Sequence, residues 1–230
     1  MRIKVNRACI LCDGRKFVNL YSSYDYLTCK SYLVEKCSKC ELVRTKINGK
    51  VSVSQIYPVE YYGNKGSRFG VFLEILVKYF RYQRANFIDY VVRINSKSIL
   101  DCGCGRGIML DHLKNRGWSV CGTEIDSVLV DALKSKGIDV FETDSVSSLG
   151  NKPRFKVVSL FHVLEHLSNP KVELGYIYNL LEDDGLLVVE VPNLGSFQAK
   201  ISRGKWFHLD VPRHISHFEL KTLKALVEST

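Results

Sequence analysis

The sequence has 230 residues, of which 46% are hydrophobic and 25% charged. These proportions are typical of a folded globular protein and exclude a disordered or fibrous chain. The length is enough for one good core and a small additional module. No apolar run approaches the ~20 residues that cross a bilayer, and the N-terminus lacks the apolar stretch of a signal peptide. We therefore predict no membrane span and a cytoplasmic location.

The formal net charge is +9, with a basic cluster between Arg68 and Arg93. Such a cluster indicates either a solvated basic face or a surface that holds the phosphates of a nucleic acid. We favour the solvated face and keep nucleic acid as the alternative partner.

Residues 1–60 contain two C-x2-C pairs, Cys9 with Cys12 and Cys37 with Cys40. Each pair can place two sulfurs on one metal ion from a tight turn, and two such turns complete a tetrahedral site of four thiolates. Alternating residues between the pairs predict the strands of a zinc ribbon. Four cysteine ligands leave no open position, so we predict a structural Zn²⁺. The alternative is four unligated thiols in turns.

Residues 61–97 are interpreted as a linker and an amphipathic helical segment. Proline, glycine and asparagine break regular structure in the linker at 57–66. Apolar residues then recur at helical spacing, which predicts a helix or a kinked pair that extends to about Arg93. The expected apolar face comprises Phe69, Phe72, Leu73, Leu76, Tyr79, Phe80, Phe87, Ile88 and Val91. A membrane-surface helix is one interpretation, and we favour a helix packed on the edge of the following sheet.

From residue 98 onward, strand and helix patterns alternate, which favours parallel βαβ units. The predicted strands are 98–101, 118–124, 138–141, 155–161 and 186–191. We therefore predict that residues 98–230 form one Rossmann-like α/β domain with a mostly parallel sheet.

A glycine-rich turn follows the first of these strands, with the sequence Asp101-Cys102-Gly103-Cys104-Gly105-Arg106-Gly107. Glycine lacks Cβ, so such a turn lets a ligand approach the backbone N–H groups closely. Glu124 ends the second strand 23 positions after Asp101, close to the interval at which a nucleotide-binding fold presents an acid to a ribose diol. The acid that precedes the glycines distinguishes this turn from the dinucleotide fingerprint, which we keep as a less favoured interpretation.

The turn led by Asp101, together with Glu124, resembles the S-adenosylmethionine site of class I methyltransferases. Residues 161–167 resemble the E-H-L signature that follows the fourth strand in that family, and residues 182–189 resemble its turn into the fifth strand. Residues 206–218 resemble a subgroup with an N-terminal zinc ribbon, whose members often modify sugars or other small metabolites. The resemblance extends over about residues 68–225.

The resemblance implies roles for individual residues on the cofactor side. The turn would pass under the amino-acid end of S-adenosylmethionine, Glu124 would bind both ribose hydroxyls, and Asp144 would lie by the adenine amino group. Phe161 and His162 would border the cofactor. The expected cofactor-binding residues are therefore Asp101, Gly103, Gly105, Gly107, Glu124, Asp144, Phe161 and His162.

On the acceptor side, five histidines follow the fourth and fifth strands: His162, His166, His208, His214 and His217. Histidine titrates near neutrality and is a plausible base for a hydroxyl acceptor. We predict catalytic roles for His214 and His166, the alternative for each being support of a loop by hydrogen bonding. Trp206 and Phe207 are expected to form an apolar wall beside the acceptor.

Together these features predict an S-adenosylmethionine-dependent methyltransferase that acts on a small molecule, such as a sugar or a sugar-linked metabolite. Two alternatives remain: an RNA methyltransferase that holds RNA with the zinc ribbon and basic face, and a non-catalytic scaffold that binds zinc and cofactor. Since the family's fold normally ends with an antiparallel pair of strands, we expect either a chain truncated at its C-terminus or a sheet that lacks the last two strands.

Overall fold

The computed structural model describes residues 2–3, 7–47, 51–52, 71–92, 97–150 and 153–230. Its strands are β1 Arg2–Ile3, β2 Phe17–Tyr24, β3 Ser31–Cys37, β4 Val43–Lys46, β5 Val51–Ser52, β6 Ser98–Cys102, β7 Ser119–Glu124, β8 Asp139–Glu142, β9 Phe155–Phe161, β10 Leu181–Glu190 and β11 Ser216–His217. Its α-helices are α1 Val71–Val91, α2 Ile108–Lys114, α3 Ser127–Ser135, α4 Pro170–Leu180, α5 Phe197–Ser202 and α6 Leu220–Glu228. The predicted linker at 57–66, with Arg68, Phe69 and Arg93, lies outside the described residues, as do the side chains of Phe72 and Leu73.

The chain divides into two compact units. The first comprises Met1–Arg68, His162–Leu174 and Val191–Thr230, and the second comprises Phe69–Phe161 and Gly175–Glu190. This division differs from the predicted boundaries, because residues from 191 onward group with the N-terminal residues instead of the parallel sheet. The cause is a strand pairing between distant segments: β11 pairs antiparallel with β4, with Ser216 opposite Arg44 and His217 opposite Val43.

The second unit contains a five-stranded sheet in the order β10-β9-β6-β7-β8. Every neighbouring pair in it is parallel, which confirms the predicted Rossmann-like architecture. Strand β10 begins at Leu181, earlier than expected, and its register shifts between Leu181 and Leu186. Because all strands run in one direction, their carboxyl ends share one edge, where open α/β sheets bind ligands.

The central strands of this sheet are buried on both faces. Consecutive residues of β6, Ile99 and Leu100, are both fully buried, as are Val157 and Val158 of β9. Burial on both faces is the property of central strands in parallel sheets, and each buried aliphatic side chain contributes about 1.5–3 kcal/mol relative to an exposed one. Asp126 caps the start of helix α3, since its carboxylate accepts hydrogen bonds from the N–H groups of residues 128 and 129.

Helix α1 forms where the periodicity predicts it, but with a different inward face. Ala85 and Ile88 are fully buried and pack into the core beside α2. Several residues that we expected to be buried are instead exposed: Leu76, Tyr79, Phe80, Phe87 and Val91. Apolar residues occupy more than half of the circumference of this helix, so its periodicity alone does not define one face. No helix in the described part of the chain is long and apolar enough to cross a membrane.

The first unit contains a four-stranded sheet in the order β11-β4-β3-β2, paired antiparallel throughout. Strands β2 and β3 lie where the zinc ribbon was predicted. The core of this unit joins Val34 and Val43 of the ribbon to Leu209 and Val211 of the C-terminal segment. Trp206 also lies in this core and is only 8% exposed, whereas Phe207 is 72% exposed. An acceptor wall made by both residues stays a prediction.

Candidate functional site

The glycine-rich turn joins β6 to α2 at the carboxyl edge of the parallel sheet. Gly103, Gly105 and Gly107 all have positive φ, at 68°, 57° and 65°. A Cβ on Gly107 would lie 2.4 Å from Cδ2 of Leu133, so glycine is required there by close packing as well as by conformation. The N–H groups of these glycines donate to the Thr123 hydroxyl, the Glu124 carboxylate and the Cys104 carbonyl, respectively. The turn thus provides space for a ligand, but these three amides already have partners.

Glu124 ends β7 with its carboxylate held against the turn. One oxygen, Oε2, accepts a hydrogen bond from Gly105 N–H at 2.8 Å. The other, Oε1, accepts from the N–H groups of Ile125 at 2.7 Å and Asp126 at 3.1 Å. A carboxylate has about four acceptor positions. A ribose diol that donates twice to Glu124 would therefore have to replace one of these amide donors.

Asp101 lies in β6 and is 5% exposed. Ser159 of the neighbouring β9 donates a hydrogen bond from its hydroxyl to Oδ1 of Asp101 at 2.7 Å. Burial raises the pKa of Asp101 to about 7. The hydrogen bond from Ser159 and the nearby Arg81 and Arg84 lower this pKa, but burial has the larger effect. The carboxyl group therefore titrates near neutral pH.

This shift predicts a dependence of stability on pH. The fold favours the protonated carboxyl, so the free energy of unfolding should fall from about pH 4 to about pH 7, by at most ~1.4 kcal/mol per pH unit. Asp101→Asn keeps the acceptor for Ser159 and removes the titration, so its stability advantage over wild type should grow across that interval. Urea unfolding at pH 5 and pH 7 measures the difference, with the exposed Asp139→Asn as control. An advantage of Asp101→Asn that is equal at both pH values would contradict the assignment.

Three arginines surround the turn, and sequence reasoning assigned a role to none of them. Arg84 forms an ion pair with Glu190 and stacks 4.7 Å above the ring of Phe161. Arg106 pairs with Glu74 at 3.0 Å. Arg81 has no hydrogen bond or ion pair with any described residue. The only sequence signal for Arg81 and Arg84 was their helical spacing in α1, whereas Arg106 lies in the glycine-rich turn itself.

The other predicted cofactor residues lie at three places. Phe161 ends β9 and is half-buried, in the second unit. Asp144 is exposed in the loop after β8. His162 belongs to the first unit, has a φ of 58°, and places Nδ1 3.4 Å from Oε1 of Glu165. The structure therefore groups Asp101, the glycines, Glu124 and Phe161 around one sheet edge.

The four predicted metal ligands, Cys9, Cys12, Cys37 and Cys40, form one cluster, with all sulfurs within 4.8 Å of one another. Sγ of Cys9 lies 3.4 Å from Sγ of Cys40, and Sγ of Cys12 lies 3.5 Å from Sγ of Cys37. A tetrahedral zinc with Zn–S bonds of ~2.3 Å holds its sulfurs ~3.8 Å apart, so small movements would complete the geometry. The residues present are suited to a structural Zn²⁺.

Two equivalent turns carry these cysteines. In each, the first cysteine N–H donates to the carbonyl five residues on, and its carbonyl accepts from the N–H four residues on, with distances of 2.8–3.0 Å. The residues that follow the turns, Asp13 and Glu41, both have positive φ. Burial raises the pKa of Cys37, but the N–H groups of Cys40 and Lys39 outweigh it and lower that pKa to about 7. Amide donors aimed at sulfur thus favour the thiolate of Cys37. Burial raises the pKa of Cys9 and of Cys40.

His214 is the more buried of the two predicted catalytic residues, with 8% of its surface exposed. Its Nδ1 lies 2.9 Å from the carbonyl oxygen of His208, so Nδ1 carries the proton and Nε2 carries a lone pair. Nε2 lies 3.9 Å from Oε1 of Glu165 and 3.9 Å from Oδ2 of Asp210. Burial and the neighbouring His166 and His217 hold the pKa of His214 well below its usual range. His214 is therefore a neutral proton acceptor beside two carboxylates.

His166 lies beside it, with ring centroids 4.6 Å apart. Nδ1 of His166 lies 3.0 Å from the carbonyl oxygen of Arg213, and burial lowers the pKa of His166. Glu165 is 1% exposed, and neither carboxylate oxygen accepts a hydrogen bond from the described residues. The ligand atoms of Glu165, His166 and His214 lie within 4.8 Å of one another, a grouping suited to acid–base chemistry or to a divalent metal.

The remaining histidines have different surroundings. His217 is buried, with Nε2 2.9 Å from the Thr45 hydroxyl, and burial lowers its pKa to about 3. Because the same hydroxyl donates to the carbonyl of His214 at 2.7 Å, His217 acts as a donor in a structural network. The His208 side chain is exposed and packs edge-on against Trp206.

A buried arginine that sequence reasoning did not identify fixes the segment that carries His214. Arg213 is 1% exposed and forms 2.7 Å ion pairs with Asp25 and Asp210. Asp25 lies in the zinc-ribbon segment, so this pair ties the two ends of the first unit together. Nothing in the local sequence indicates a pairing over such a separation.

Comparison with known proteins gives three related results. A protein family described as a methyltransferase domain matches residues 77–230, two thirds of the chain. The ubiquinone biosynthesis O-methyltransferase of Saccharophagus degradans is 27% identical over 109 residues, which cover 44% of this chain and 46% of that enzyme. The enzyme of the same name from Pseudomonas entomophila is 28% identical over 109 residues, with 44% and 47% covered. The chain thus spans about half the length of these relatives.

Two solved structures share the fold. The plantazolicin methyltransferase BpumL in complex with SAH superposes with a TM-score of 0.56 at 16% identity, over 68% of this chain and 65% of that one. A SAM-dependent methyltransferase from Archaeoglobus fulgidus superposes with a TM-score of 0.54 at 24% identity, over 70% of this chain and 73% of that one. At these identities the likeness shows a common fold.

Proposed function

Because this chain belongs to the methyltransferase domain family, we propose that it transfers a methyl group from S-adenosylmethionine to a small-molecule acceptor. The observation that carries the proposal is one edge of the sheet. There Asp101 lies near the end of β6 and Glu124 ends the neighbouring β7, beside a glycine turn that is hydrogen-bonded to Glu124. When bound, S-adenosylmethionine supplies a methyl group that its sulfonium already activates. The protein's task is then to hold donor and acceptor in line and to take up a proton.

On the cofactor side, the proposed contacts are those of the second unit. Glu124 offers carboxylate oxygens to the ribose hydroxyls, and the glycine turn leaves room for the amino-acid end. Asp144 and Phe161 would border the adenosine. His162 is proposed as a further cofactor contact.

On the acceptor side, His214 is proposed to accept the proton of an acceptor hydroxyl as the methyl is transferred. Its tautomer and low pKa keep Nε2 unprotonated, and Glu165 and Asp210 would stabilise the imidazolium that forms. His166 is proposed to assist as its ring neighbour. The related O-methyltransferases of ubiquinone biosynthesis support a hydroxyl on a small molecule. A sugar hydroxyl remains our proposal for the acceptor class, and a cytoplasmic location remains a prediction.

We further propose that Cys9, Cys12, Cys37 and Cys40 hold one structural Zn²⁺. The ion would fix the two turns relative to each other. Because the core of the same unit includes residues around His214, its main consequence would be to stabilise the segment that carries the proposed base.

Glu124 provides the experiment for the donor site. Glu124→Ala should weaken S-adenosylmethionine binding by ~1.5–3 kcal/mol, the scale of hydrogen bonds to a charged group. Calorimetric titration measures it, with Glu142→Ala as the matched control, since Glu142 is the exposed residue opposite Glu124 in β8. The substitution also frees the Gly105 amide from its hydrogen bond to Glu124, and this change accounts for part of any loss of affinity. Circular dichroism should show that the variant keeps its fold. Equal affinities for wild type and Glu124→Ala would refute the assignment.

A further inference from the structure

A cleft of about 540 Å³ lies in the first unit, where the end of β2 meets the segment that follows α5. Its volume is in the range of small-molecule sites. Serine hydroxyls and two cations line it, and none of the described residues adds a carboxylate to this lining. The cleft therefore offers hydrogen-bond donors and positive charge to a ligand. These groups belong to Ser22, Ser23, Ser31, Ser202, Arg203 and Lys205.

The two cations of the cleft, Arg203 and Lys205, have no partner of opposite charge. Neither side chain forms an ion pair or a hydrogen bond with any residue that the structure describes. Most of the lining comes from residues 17–24 and 191–209, two segments whose sequences contain no aspartate or glutamate. Two like charges in one cleft produce a positive potential that attracts anions.

The acids that directly follow these two segments are engaged elsewhere. Asp25 and Asp210 each pair with Arg213 at 2.7 Å, and that arginine is only 1% exposed. Their negative charges are therefore balanced inside the first unit. An anion in the cleft would meet the charges of Arg203 and Lys205 without competition from these two carboxylates.

Gly204 brings the segment that carries the two cations against β2. A Cβ on this residue would lie 2.2 Å from the carbonyl oxygen of Ser22, so only glycine permits this approach. Arg203 beside it has a φ of 46°, in the left-handed region that residues with side chains rarely adopt. Ser23 of β2 is 6% exposed, and its hydroxyl forms no hydrogen bond within the described part of the chain. A buried hydroxyl normally has a partner, and in the cleft a ligand would supply it.

We propose that this cleft binds the phosphate group of a small molecule. Phosphate oxygens accept hydrogen bonds from the guanidinium of Arg203 and the ammonium of Lys205, and the serine hydroxyls can donate to the same oxygens. Two further lining residues, Tyr24 and Ile201, are exposed and offer apolar contact to the rest of the ligand. A phosphorylated metabolite is therefore the expected ligand class. This inference does not depend on the proposed methyl transfer.

The test titrates inorganic phosphate, glucose 6-phosphate and glucose into the ¹⁵N-labelled full chain and follows its amide resonances. Both phosphates should shift the amides of Gly204 and Ser23, and glucose should not. Arg203→Gln and Lys205→Gln should each raise the dissociation constant of glucose 6-phosphate by about 10- to 100-fold, because each removes a charged donor. Lys224→Gln is the control, since Lys224 is an exposed cation on α6 of the same unit.

The outcomes either support or overturn the inference, and none of them requires S-adenosylmethionine. Binding that is selective for the phosphates, weakened by both cleft variants and unchanged in Lys224→Gln, supports it. Phosphates that leave the amides of Gly204 and Ser23 unshifted, or that bind all variants equally, overturn it. A single-stranded RNA oligonucleotide that binds the cleft far more tightly than glucose 6-phosphate, and loses affinity in both cleft variants, would assign the cleft to nucleic acid instead.

Discussion

Replacing His214 by alanine is expected to lower turnover by ~10²–10⁴-fold, the usual contribution of a general base. Nδ1 of His214 donates its proton to the His208 carbonyl, so Nε2 is the unprotonated nitrogen that can accept a proton from the substrate. Affinity for S-adenosylmethionine should change little, since the proposed contacts to its ribose and its amino-acid end belong to Glu124 and the glycine turn. Single-turnover rates with an identified acceptor, together with calorimetric cofactor binding, give both quantities.

The pH profile adds a second readout for the same residue. The pKa of His214 lies well below 6.5, so protonation of this residue should not limit the rate between pH 6.5 and pH 8. His208→Ala is the matched control, since its ring is exposed and the backbone carbonyl that holds His214 survives the change. His217→Ala should reduce stability more than turnover, because His217 belongs to the Thr45 network. Comparable turnover in wild type and His214→Ala would assign His214 to loop support.

Removing the metal is expected to have the largest effect on stability. Purified protein should contain about one Zn²⁺, with Zn–S distances of ~2.3 Å in X-ray absorption. Structural zinc sites carry about 10–16 kcal/mol of apparent metal-linked folding free energy, so Cys37→Ser or a strong chelator should unfold the first unit. Loss of near-ultraviolet dichroism from its tyrosines and Trp206 reports the unfolding.

Cys29→Ser is the control for this prediction. Cys29 lies between the two pairs but is exposed and outside the sulfur cluster, so its replacement should retain zinc and stability. A metal-free preparation whose first unit remains folded, or a Cys37→Ser variant with wild-type thermal stability, would contradict the structural role of zinc.

The fold was predictable because its signals are local. Strands β6, β7 and β9 lie within one or two residues of the predicted ranges, since buried parallel strands have short apolar runs bounded by turn residues. The resemblance to class I methyltransferases is confirmed by the family match over residues 77–230. The four cysteines meet in one cluster as their spacing predicted.

The missed features are those that depend on distant partners. Pairing of β11 with β4 and the ion pair between Arg213 and Asp25 join residues far apart in the chain, and no periodicity records such contacts. The inward face of α1 was wrong because tyrosine and phenylalanine occupy its exposed side. The sequence predicted no role for Arg81, because a basic residue on a helix does not reveal whether a carboxylate pairs with it.

The most direct test of the account uses S-adenosylmethionine that carries a labelled methyl group. Wild-type protein and Glu124→Ala would each be incubated with the label and a mixed extract of metabolites and RNA. With the label kept below saturation, we expect wild type to place it in the small-molecule fraction, from which mass spectrometry identifies the methylated product, and Glu124→Ala to place much less there. Label that enters RNA, or that is transferred equally by wild type and Glu124→Ala, would contradict it.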